Sequence, residues 1–308
     1  MNSFPYSDDN KRYHTLNYHN LHTYGKRVVK AVIDAGFTCP NIDGTKSHGG
    51  CIFCSGGSGY FTNEPTVPIA EQIKREKERI LQKYPDALII AYFQAHTNTY
   101  ADLKTLEARY TEAVNAGVAG ISIATRSDCI DREKIALIKS LGVPATVELG
   151  LQSIYDKTTH NLNCCHSSSS FLSAMFLLRK NGIRTCVHII NGLPEETPEM
   201  MLKTAESLGK QRPDAVKIHL LHVIKDTFLH GMYEKGRYNP MEKDAYIDIT
   251  ARQLEYLPPE TVIERLTGDG DKRMLVAPMW SADKISVLGG IDKRMADLDI
   301  YQGDKYTP

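Results

Sequence analysis

Short apolar segments alternate with amphipathic segments along most of the chain, and this alternation constrains the fold more than any other feature. The apolar, β-branched runs are residues 28–33, 87–93, 120–124, 145–149, 185–190, 215–220 and 261–266. Continuous apolar runs of this length are typical of strands that are buried on both faces. The repeated strand and helix order therefore predicts a parallel sheet covered by helices, either doubly wound or curled into a barrel.

The segment 69–84 shows why the stretches between the apolar runs are predicted to be helices. Ile69, Ile73 and Ile80 recur at helical spacing on one face, whereas Glu71 and Arg75 belong to the opposite, charged face. The same pattern predicts helices over residues 103–116, 132–141, 170–181, 198–210 and 243–257. The charged face of 69–84 is therefore predicted to be solvated and not to bind nucleic acid.

The residues after the first apolar run distinguish the two α/β architectures. A Rossmann-type fold would carry a glycine fingerprint directly after its first strand, but here the run continues into GFTCPNIDGTKSHGGCIFC. We therefore predict a full or partial (β/α) barrel with its chemistry at the carboxyl ends of the strands. The predicted division is a lead-in at residues 1–25, the barrel at 26–267 and a C-terminal extension at 268–308.

Composition excludes several other classes of protein. The 308 residues carry 37 Lys and Arg against 37 Asp and Glu, so net charge provides no general attraction to nucleic acid or to an acidic membrane. The apolar runs are too short to cross a bilayer and the amino-terminal residues are polar, so we expect a cytoplasmic protein without membrane contact. Seven cysteines without a secretion signal argue against a disulfide framework.

Three of the cysteines share one glycine-rich segment. Cys39, Cys51 and Cys54 fall within 16 residues, whereas the other cysteines are scattered. This grouping indicates a bound metal centre, either zinc with His48 as fourth ligand or an iron–sulfur cluster on three thiolates that leaves one iron open. The position directly after the first strand of a β/α array favours the cluster.

Several sequence blocks carry a resemblance to a known family. They are GFTCPNIDGTKSHGGCIFC, AYFQAHTNTYA, ISIATRSDC, VELGLQS, HIINGLPEET, KIHLLHVIKDT and RLTGDG, and they extend over roughly residues 13–297. With these blocks the chain resembles the radical S-adenosylmethionine (SAM) superfamily. Within it, the chain is similar to the YhcC/YtqA-type branch, which is related to the radical SAM half of the elongator catalytic subunit. The resemblance therefore implies a partial (β/α) barrel of the radical SAM type, with roughly six parallel strands.

The same resemblance implies two cofactors. Cys39, Cys51 and Cys54 would bind a [4Fe–4S] cluster whose open iron chelates SAM. An electron from a donor such as flavodoxin or ferredoxin would then cleave SAM to a 5′-deoxyadenosyl radical, which abstracts hydrogen from a substrate. The cofactor-binding residues that the resemblance implies are Phe53, Glu148, Gln152, Ile190 and Gly192.

Each of the following residues also has a purely structural explanation that does not involve a cofactor. Phe53 suits ordinary loop packing, and Glu148 suits a buried ion pair. The backbone at Ile190 and Gly192 suits a plain junction between a strand and a turn.

One segment departs from the family pattern. Where the family carries Arg-Gly-His, this chain has Asn163-Cys164-Cys165-His166. If the family arginine holds the SAM carboxylate, Arg126 is the nearby candidate to replace it. The vicinal Cys164 and Cys165 suit either an extra redox or metal pair or simple sequence drift in a loop.

Cationic side chains near the end of the predicted barrel are candidates for substrate binding. Lys217 and His219 share one strand face because side chains alternate along a strand, while Lys225 and Arg265 come later. Cations inside a barrel need an anion or solvent, so a phosphate-bearing substrate and an internal carboxylate network are the two explanations. For Arg265 a structural turn is slightly favoured.

The relation to the elongator subunit implies a tRNA substrate and modification of the C5 side chain of wobble uridine. A radical SAM enzyme that acts on a small metabolite or a peptide is the alternative. A zinc-stabilised binding protein without catalysis is a further alternative from a different class.

Overall fold

The structure is a computed structural model that describes residues 4–55, 64–268, 270 and 272–308. The strands of its main sheet are β1 (Val28–Ile33), β2 (Leu88–Phe93), β3 (Gly120–Arg126), β4 (Ala145–Gln152), β5 (Arg184–Asn191), β6 (Ala215–Leu220) and β8 (Val262–Arg265). They lie in chain order, and each neighbouring pair is parallel. A short antiparallel pair, β7 (Val223–Ile224) with β9 (Leu275–Ala277), lies outside this sheet.

Helices connect successive strands and cover the outer face of the sheet. The helices are α1 (Leu16–Tyr24), α2 (Ile69–Lys83), α3 (Leu103–Asn115), α4 (Arg132–Ser140), α5 (Asp156–Asn161), α6 (Ser168–Lys180), α7 (Pro198–Lys210), α8 (Phe228–Glu234), α9 (Lys243–Leu254) and α10 (Lys284–Asp297). The predicted apolar stripe of α2 is buried at Ile69, Ile73 and Ile80. Within the described ranges, no helix combines the length and the apolar character that a membrane span requires.

An ion pair between the first and last strands shows that the sheet is strongly curled. In a flat sheet, six interstrand spacings of about 4.8 Å would separate β1 from β8 by roughly 29 Å. Lys30 on β1 nevertheless lies 2.9 Å from Glu264 on β8, measured from Nζ to Oε2. The predicted partial (β/α) barrel is therefore confirmed, and it contains seven parallel strands where roughly six were expected.

Segments from both ends of the chain lie beside β8. Ile263 N donates to His14 O (2.8 Å), and His14 N donates to Gln302 Oε1 (2.9 Å). These bonds pair the edge of β8 with the residues that precede α1. The division into segments 1–25, 26–267 and 268–308 remains a prediction.

A glycine of α10 lies directly against a side chain of α9. A Cβ atom on Gly290 would lie 2.5 Å from Ile247 Cδ1, far inside normal contact distance. Gly290 therefore lets the two helices approach closely, and α10 is joined to the barrel through α9.

Candidate cofactor and active site

The three grouped cysteines lie in the loop that leaves the carboxyl end of β1. Gly50 N donates to Asn41 O (2.8 Å), and Cys54 N donates to Cys51 O (2.9 Å), so the loop folds back on itself. Gly50 has a φ of +75°, a left-handed conformation that strongly favours glycine. Local turns thus bring Cys39 near Cys51 and Cys54 although 11 residues separate the first two.

A second segment, residues 162–166 between α5 and α6, holds this loop in place. Asn163 Nδ2 donates to Gly50 O (2.7 Å), and Ser47 Oγ donates to Asn163 Oδ1 (2.7 Å). Asn41 Nδ2 donates to Asn163 O (2.5 Å). Asn163 adopts a φ of +56°, which asparagine tolerates better than most residues. The segment that departs from the family pattern is therefore built into the cysteine loop.

The three cysteines open onto one cavity of about 190 Å³ at the carboxyl ends of the first five strands. Burial of the Cys54 thiol, and then the nearby charges of Cys51 and Cys39, raise the pKa of Cys54 to about 12. Gathering three thiolates here is thus electrostatically unfavourable unless a cationic centre binds them. The cavity is also lined by Phe53, Gln94, His96, Arg126, Glu148, Gln152, Cys164, His166 and His188.

The arrangement fits a three-thiolate cluster better than the zinc alternative. His48 is exposed, and a Cβ atom on Gly44 would lie 2.5 Å from its Cε1 atom, so the ring packs on Gly44. His48 is not one of the described residues that line the cavity. Three thiolates beside an open cavity suit a [4Fe–4S] cluster with one iron available to a small ligand.

Arg126, the candidate substitute for the family arginine, lines the cavity at the end of β3. Its Nη1 donates to Cys164 O (2.6 Å) and its Nη2 to Cys165 O (3.2 Å). Both Nε and Nη2 lie 2.9 Å from the carboxylate of Asp128, which also pairs with Lys46. Arg126 therefore places a positive charge beside the thiols and connects β3 to the segment 162–166.

Gln152 and His166 form a second polar wall of the cavity. His166 Nε2 donates to Gln152 Oε1 (2.8 Å), and Gln152 has a φ of +60° at a register shift between β4 and β5. Burial, followed by the charge of Arg126, lowers the pKa of His166 to about 4, so its ring is neutral near neutral pH. Its buried Nδ1 has no protein partner within the described residues and is available to accept a hydrogen bond from a ligand.

Glu148 forms the buried centre of a charge network beneath the cavity. Its carboxylate accepts hydrogen bonds from Lys30 Nζ (2.6 Å), Ser122 Oγ (2.5 Å), Tyr92 Oη (2.9 Å), His188 Nε2 (2.8 Å) and Lys217 Nζ. Burial would raise the pKa of Glu148, but Lys217 and Lys30 hold it well below its ordinary value. A carboxylate has about four acceptor sites, so a SAM contact to Glu148 would have to displace a present donor.

Glu264 completes this network and makes it sensitive to acid. Burial would raise its pKa, but Lys30 and Lys217 lower it to about 2 from 4.5. Because the folded-state pKa is depressed, the ionised carboxylate contributes stability that is present above pH 4.5 and is lost as the pH falls toward 2.

We expect the free energy of unfolding, measured in urea, to fall across this window and to fall less steeply in Glu264→Gln. Equal slopes for the two proteins would contradict this assignment.

The predicted substrate residues occupy different environments. Lys217 is buried and forms ion pairs with Glu148 and Glu264, so the structure supplies the carboxylate network that was one explanation for this cation. The His219 ring lies 5.1 Å from that of His188, and burial, then His188, lowers its pKa well below the ordinary value.

The other two substrate candidates lie nearer the surface. Lys225 is exposed directly after β7, and its backbone N donates to Met274 O (2.8 Å). Arg265 is partly buried at the end of β8, close enough to His219 to help lower the pKa of that ring. Roles for these residues in substrate binding remain predictions.

Two of the predicted cofactor-binding residues lie outside the cysteine-lined cavity. Ile190, near the end of β5, packs with Phe53 against an apolar cluster that includes Cys164. Gly192 has a φ of +82°, and a Cβ atom there would lie 3.0 Å from Met241 Cγ. Phe53, Glu148 and Gln152 do line the cavity, so the structure brings those three together with the cysteines.

Several residues of the site are absent from the sequence-based prediction. Lys30 is the one charged residue of the strand VVKAVI, and Glu264 follows two apolar residues in the strand VIER. A charge inside or directly after an apolar run is the signal that could have revealed them. Asn163 gives a weaker signal because loop asparagines are common. Its role depends on distant backbone carbonyl groups that only the folded chain brings near.

Comparison with known proteins places these features in a family. The model of the radical SAM superfamily matches residues 42–208, and that of the radical SAM C-terminal domain matches residues 213–297. YtqA of Bacillus subtilis (strain 168) is 44% identical over 98% of this chain and 95% of its own length. Protein YhcC of Escherichia coli (strain K12) is 32% identical over 88% of each chain. The tRNA uridine(34) acetyltransferase of Methanocaldococcus jannaschii is 25% identical over 79% of this chain and 51% of its own length.

Solved structures share the fold. Elp3 of Methanocaldococcus infernus, with residues 1–46 deleted, matches with a TM-score of 0.70 and 19% identity over 90% of this chain. This chain spans 64% of that Elp3 chain and about half of the M. jannaschii protein. With the curled parallel sheet and the sequence matches, these observations show that the chain belongs to the radical SAM superfamily, in the YhcC/YtqA-type branch related to elongator.

Proposed function

We propose that this radical SAM enzyme holds a [4Fe–4S] cluster on Cys39, Cys51 and Cys54 and modifies the C5 side chain of wobble uridine in tRNA. The observation that carries the cluster part of the proposal is the opening of the three thiols onto one cavity at the carboxyl ends of the strands. The tRNA part rests on similarity to distant relatives. Held by these three cysteines, a reduced cluster would supply the electron for reductive cleavage of SAM, and the resulting 5′-deoxyadenosyl radical would abstract hydrogen from the substrate. An electron donor such as flavodoxin or ferredoxin would reduce the cluster.

Other side chains of the cavity would bind and orient SAM. Phe53 offers an apolar face for adenine. Ile190 and Gly192, which are not among the described lining residues, would offer backbone contacts only to a part of SAM that extends beyond this cavity. His166 Nδ1 would accept a hydrogen bond from a hydroxyl or amino group, because it is buried and neutral. Arg126 would attract the SAM carboxylate and would reproduce the charge of the absent family arginine.

The tRNA assignment is supported by the names of distant relatives and by cationic side chains on and after the last strands of the barrel. Relatives at 25–27% identity include proteins named tRNA uridine(34) acetyltransferase and elongator complex protein 3. Lys225, exposed after β7, and Arg265, partly buried at the end of β8, would contact phosphates. Lys217 forms ion pairs with carboxylates inside the barrel. His219, neutral and half-buried, would contact the nucleoside and not a phosphate.

The balanced total charge favours a second candidate substrate. With 37 basic and 37 acidic side chains, the chain has no excess positive charge to attract a polyanion. A radical SAM reaction on a small metabolite or peptide would not need that attraction.

Anaerobic reconstitution tests both parts of the proposal. The reconstituted protein, given SAM and dithionite, should release 5′-deoxyadenosine slowly, and faster when tRNA from a strain lacking this gene is added. Closure of the site over a substrate should favour the productive reaction. Digestion of the treated tRNA to nucleosides and mass spectrometry should show a changed wobble uridine.

Three results would contradict the proposal. A colourless, zinc-loaded protein without SAM cleavage would favour the non-catalytic zinc protein. SAM cleavage that responds to a metabolite or peptide fraction and not to tRNA would move the substrate to the second candidate. Wobble uridine that stays unchanged in the treated tRNA would have the same consequence.

A further inference from the structure

Asn41 is a buried residue two positions after Cys39, and its side-chain amide contacts a second cysteine of the loop. Asn41 is fully buried, and its Nδ2 atom lies 3.9 Å from Cys51 Sγ, within hydrogen-bond distance for a sulfur acceptor. Nδ2 also donates to Asn163 O (2.5 Å). Because an amide nitrogen carries two hydrogens, one can point to the carbonyl oxygen and the other to the sulfur.

The neighbouring groups determine which end of the Asn41 amide faces the sulfur. Asn163 O is a carbonyl oxygen and can only accept, so the amide atom beside it is the nitrogen. Asn41 Oδ1 is buried and has no hydrogen-bond partner within the described residues. A buried acceptor without a partner reduces stability, so the contacts of the nitrogen, and not those of the oxygen, explain this orientation.

The backbone of Asn41 holds the contact in place. Ile42 N donates to Cys39 O (2.8 Å), so Asn41 lies in a turn that begins at the first cysteine. Asn41 O accepts from Gly50 N (2.8 Å), directly before Cys51. The turn and the bond to Gly50 therefore keep the amide next to the Cys51 sulfur.

We infer that Asn41 is a positioning residue for the cluster, whose side-chain amide donates an N–H···S hydrogen bond to the Cys51 sulfur and raises the reduction potential. This inference rests on the proposed cluster at Cys39, Cys51 and Cys54. A thiolate bound to iron carries negative charge, and a hydrogen bond to a charged acceptor is stronger than one to a neutral thiol. A donor at a ligand sulfur stabilises the reduced, more negative cluster more than the oxidised one, so an electron donor reduces the cluster more easily.

A second asparagine at the same loop provides a matched control. Asn163 Nδ2 donates to Gly50 O (2.7 Å) and to His48 O (3.2 Å), and neither acceptor is a sulfur. Asn163→Gly removes this side chain, suits the φ of +56° at that position, and keeps the backbone carbonyl that accepts from Asn41. Asn41→Ala and Asn163→Gly both remove hydrogen bonds from the cysteine loop, but only Asn41→Ala removes the amide donor at Cys51.

The experiment is a redox titration of the anaerobically reconstituted protein without SAM, followed by electron paramagnetic resonance. Asn41→Ala should bind the wild-type amount of iron and have a more negative midpoint potential, by about 59 mV if the reduction equilibrium falls tenfold. Asn163→Gly should titrate like wild type. Circular dichroism of each variant checks its fold.

A spectroscopic measurement detects the hydrogen bond itself. Protein in which only the asparagine nitrogens carry a heavy isotope should show a hyperfine coupling to that isotope in pulsed electron paramagnetic resonance of the reduced cluster. The coupling should persist in Asn163→Gly and disappear in Asn41→Ala.

An unchanged midpoint potential in Asn41→Ala would overturn the inference, as would an equal shift in Asn163→Gly. Loss of the cluster from a folded Asn41→Ala protein would also overturn it, because Asn41 would then hold the loop together and not tune the cluster. If Asn41→Ala does not fold, the labelled wild-type protein decides the question, and absence of the coupling overturns the inference. If the wild-type protein forms no cluster, the proposed function itself fails.

Discussion

Replacing Cys51 with alanine is expected to abolish cluster assembly, with iron falling from about four atoms per chain to background. Cys39→Ala and Cys54→Ala should have the same effect. The three thiols share one cavity, and two remaining thiolates are too few to hold the cluster. Iron and sulfide analysis after anaerobic reconstitution, together with the visible absorbance, measures the loss.

Two buried cysteines that are not among the described lining residues are the controls for this result. Cys186 on β5 is fully buried, Cys129 lies after β3, and neither is among the described lining residues. Alanine at either position should leave the iron content unchanged. If Cys164 or Cys165 proved as necessary as Cys51, the ligand assignment would be wrong.

Glu148→Ala should produce the largest loss of conformational stability, about 3–5 kcal/mol of the free energy of unfolding. The substitution removes the carboxylate that pairs with Lys30 and Lys217 while leaving both ammonium groups inside the barrel. Glu264 remains, but it then faces both lysines and Arg184 alone. Urea denaturation of the cluster-free protein at neutral pH measures the effect.

A surface carboxylate provides the contrast. Glu206 on α7 pairs with Lys203 and Lys210 in solvent, so Glu206→Ala should change stability far less than Glu148→Ala. A double variant, Glu148→Ala with Lys217→Met, should lose less than the sum of the two single changes because the residues are directly coupled. Additive losses would show that the ion pair is not responsible.

Elements long enough to show their periodicity are predictable from the sequence. The runs 28–33 and 69–84 agree with β1 and α2 within one residue, because the pattern of burial produces the pattern of apolar residues. The strands β7 and β9 have two and three residues and thus no measurable period. The helix α10 is missed because Gly289 and Gly290 lower helix propensity at its centre.

For the site too, residues that lie close together in the sequence are predictable, and partners that only the fold brings together are not. The cysteines are recognisable because the chemistry of a metal centre requires several ligands in one short loop. Partners such as Glu148 for Lys30 are not recognisable, because strand alternation tells which face a side chain occupies but not which residue lies opposite. The thiol of Cys164 is visible in the sequence, yet its place beside the three grouped cysteines in the cavity lining depends on the fold.

The ion pair between the first and last strands also affects how the chain folds while it is being synthesised on the ribosome. Lys30 is translated 118 residues before Glu148 and 234 residues before Glu264. A nascent chain that ends before β8 therefore lacks Glu264, the carboxylate that pairs with Lys30, Lys217 and Arg184. Barrel completion waits for the last strand, so we expect truncated chains to be degraded by quality-control proteases instead of accumulating as partial enzymes.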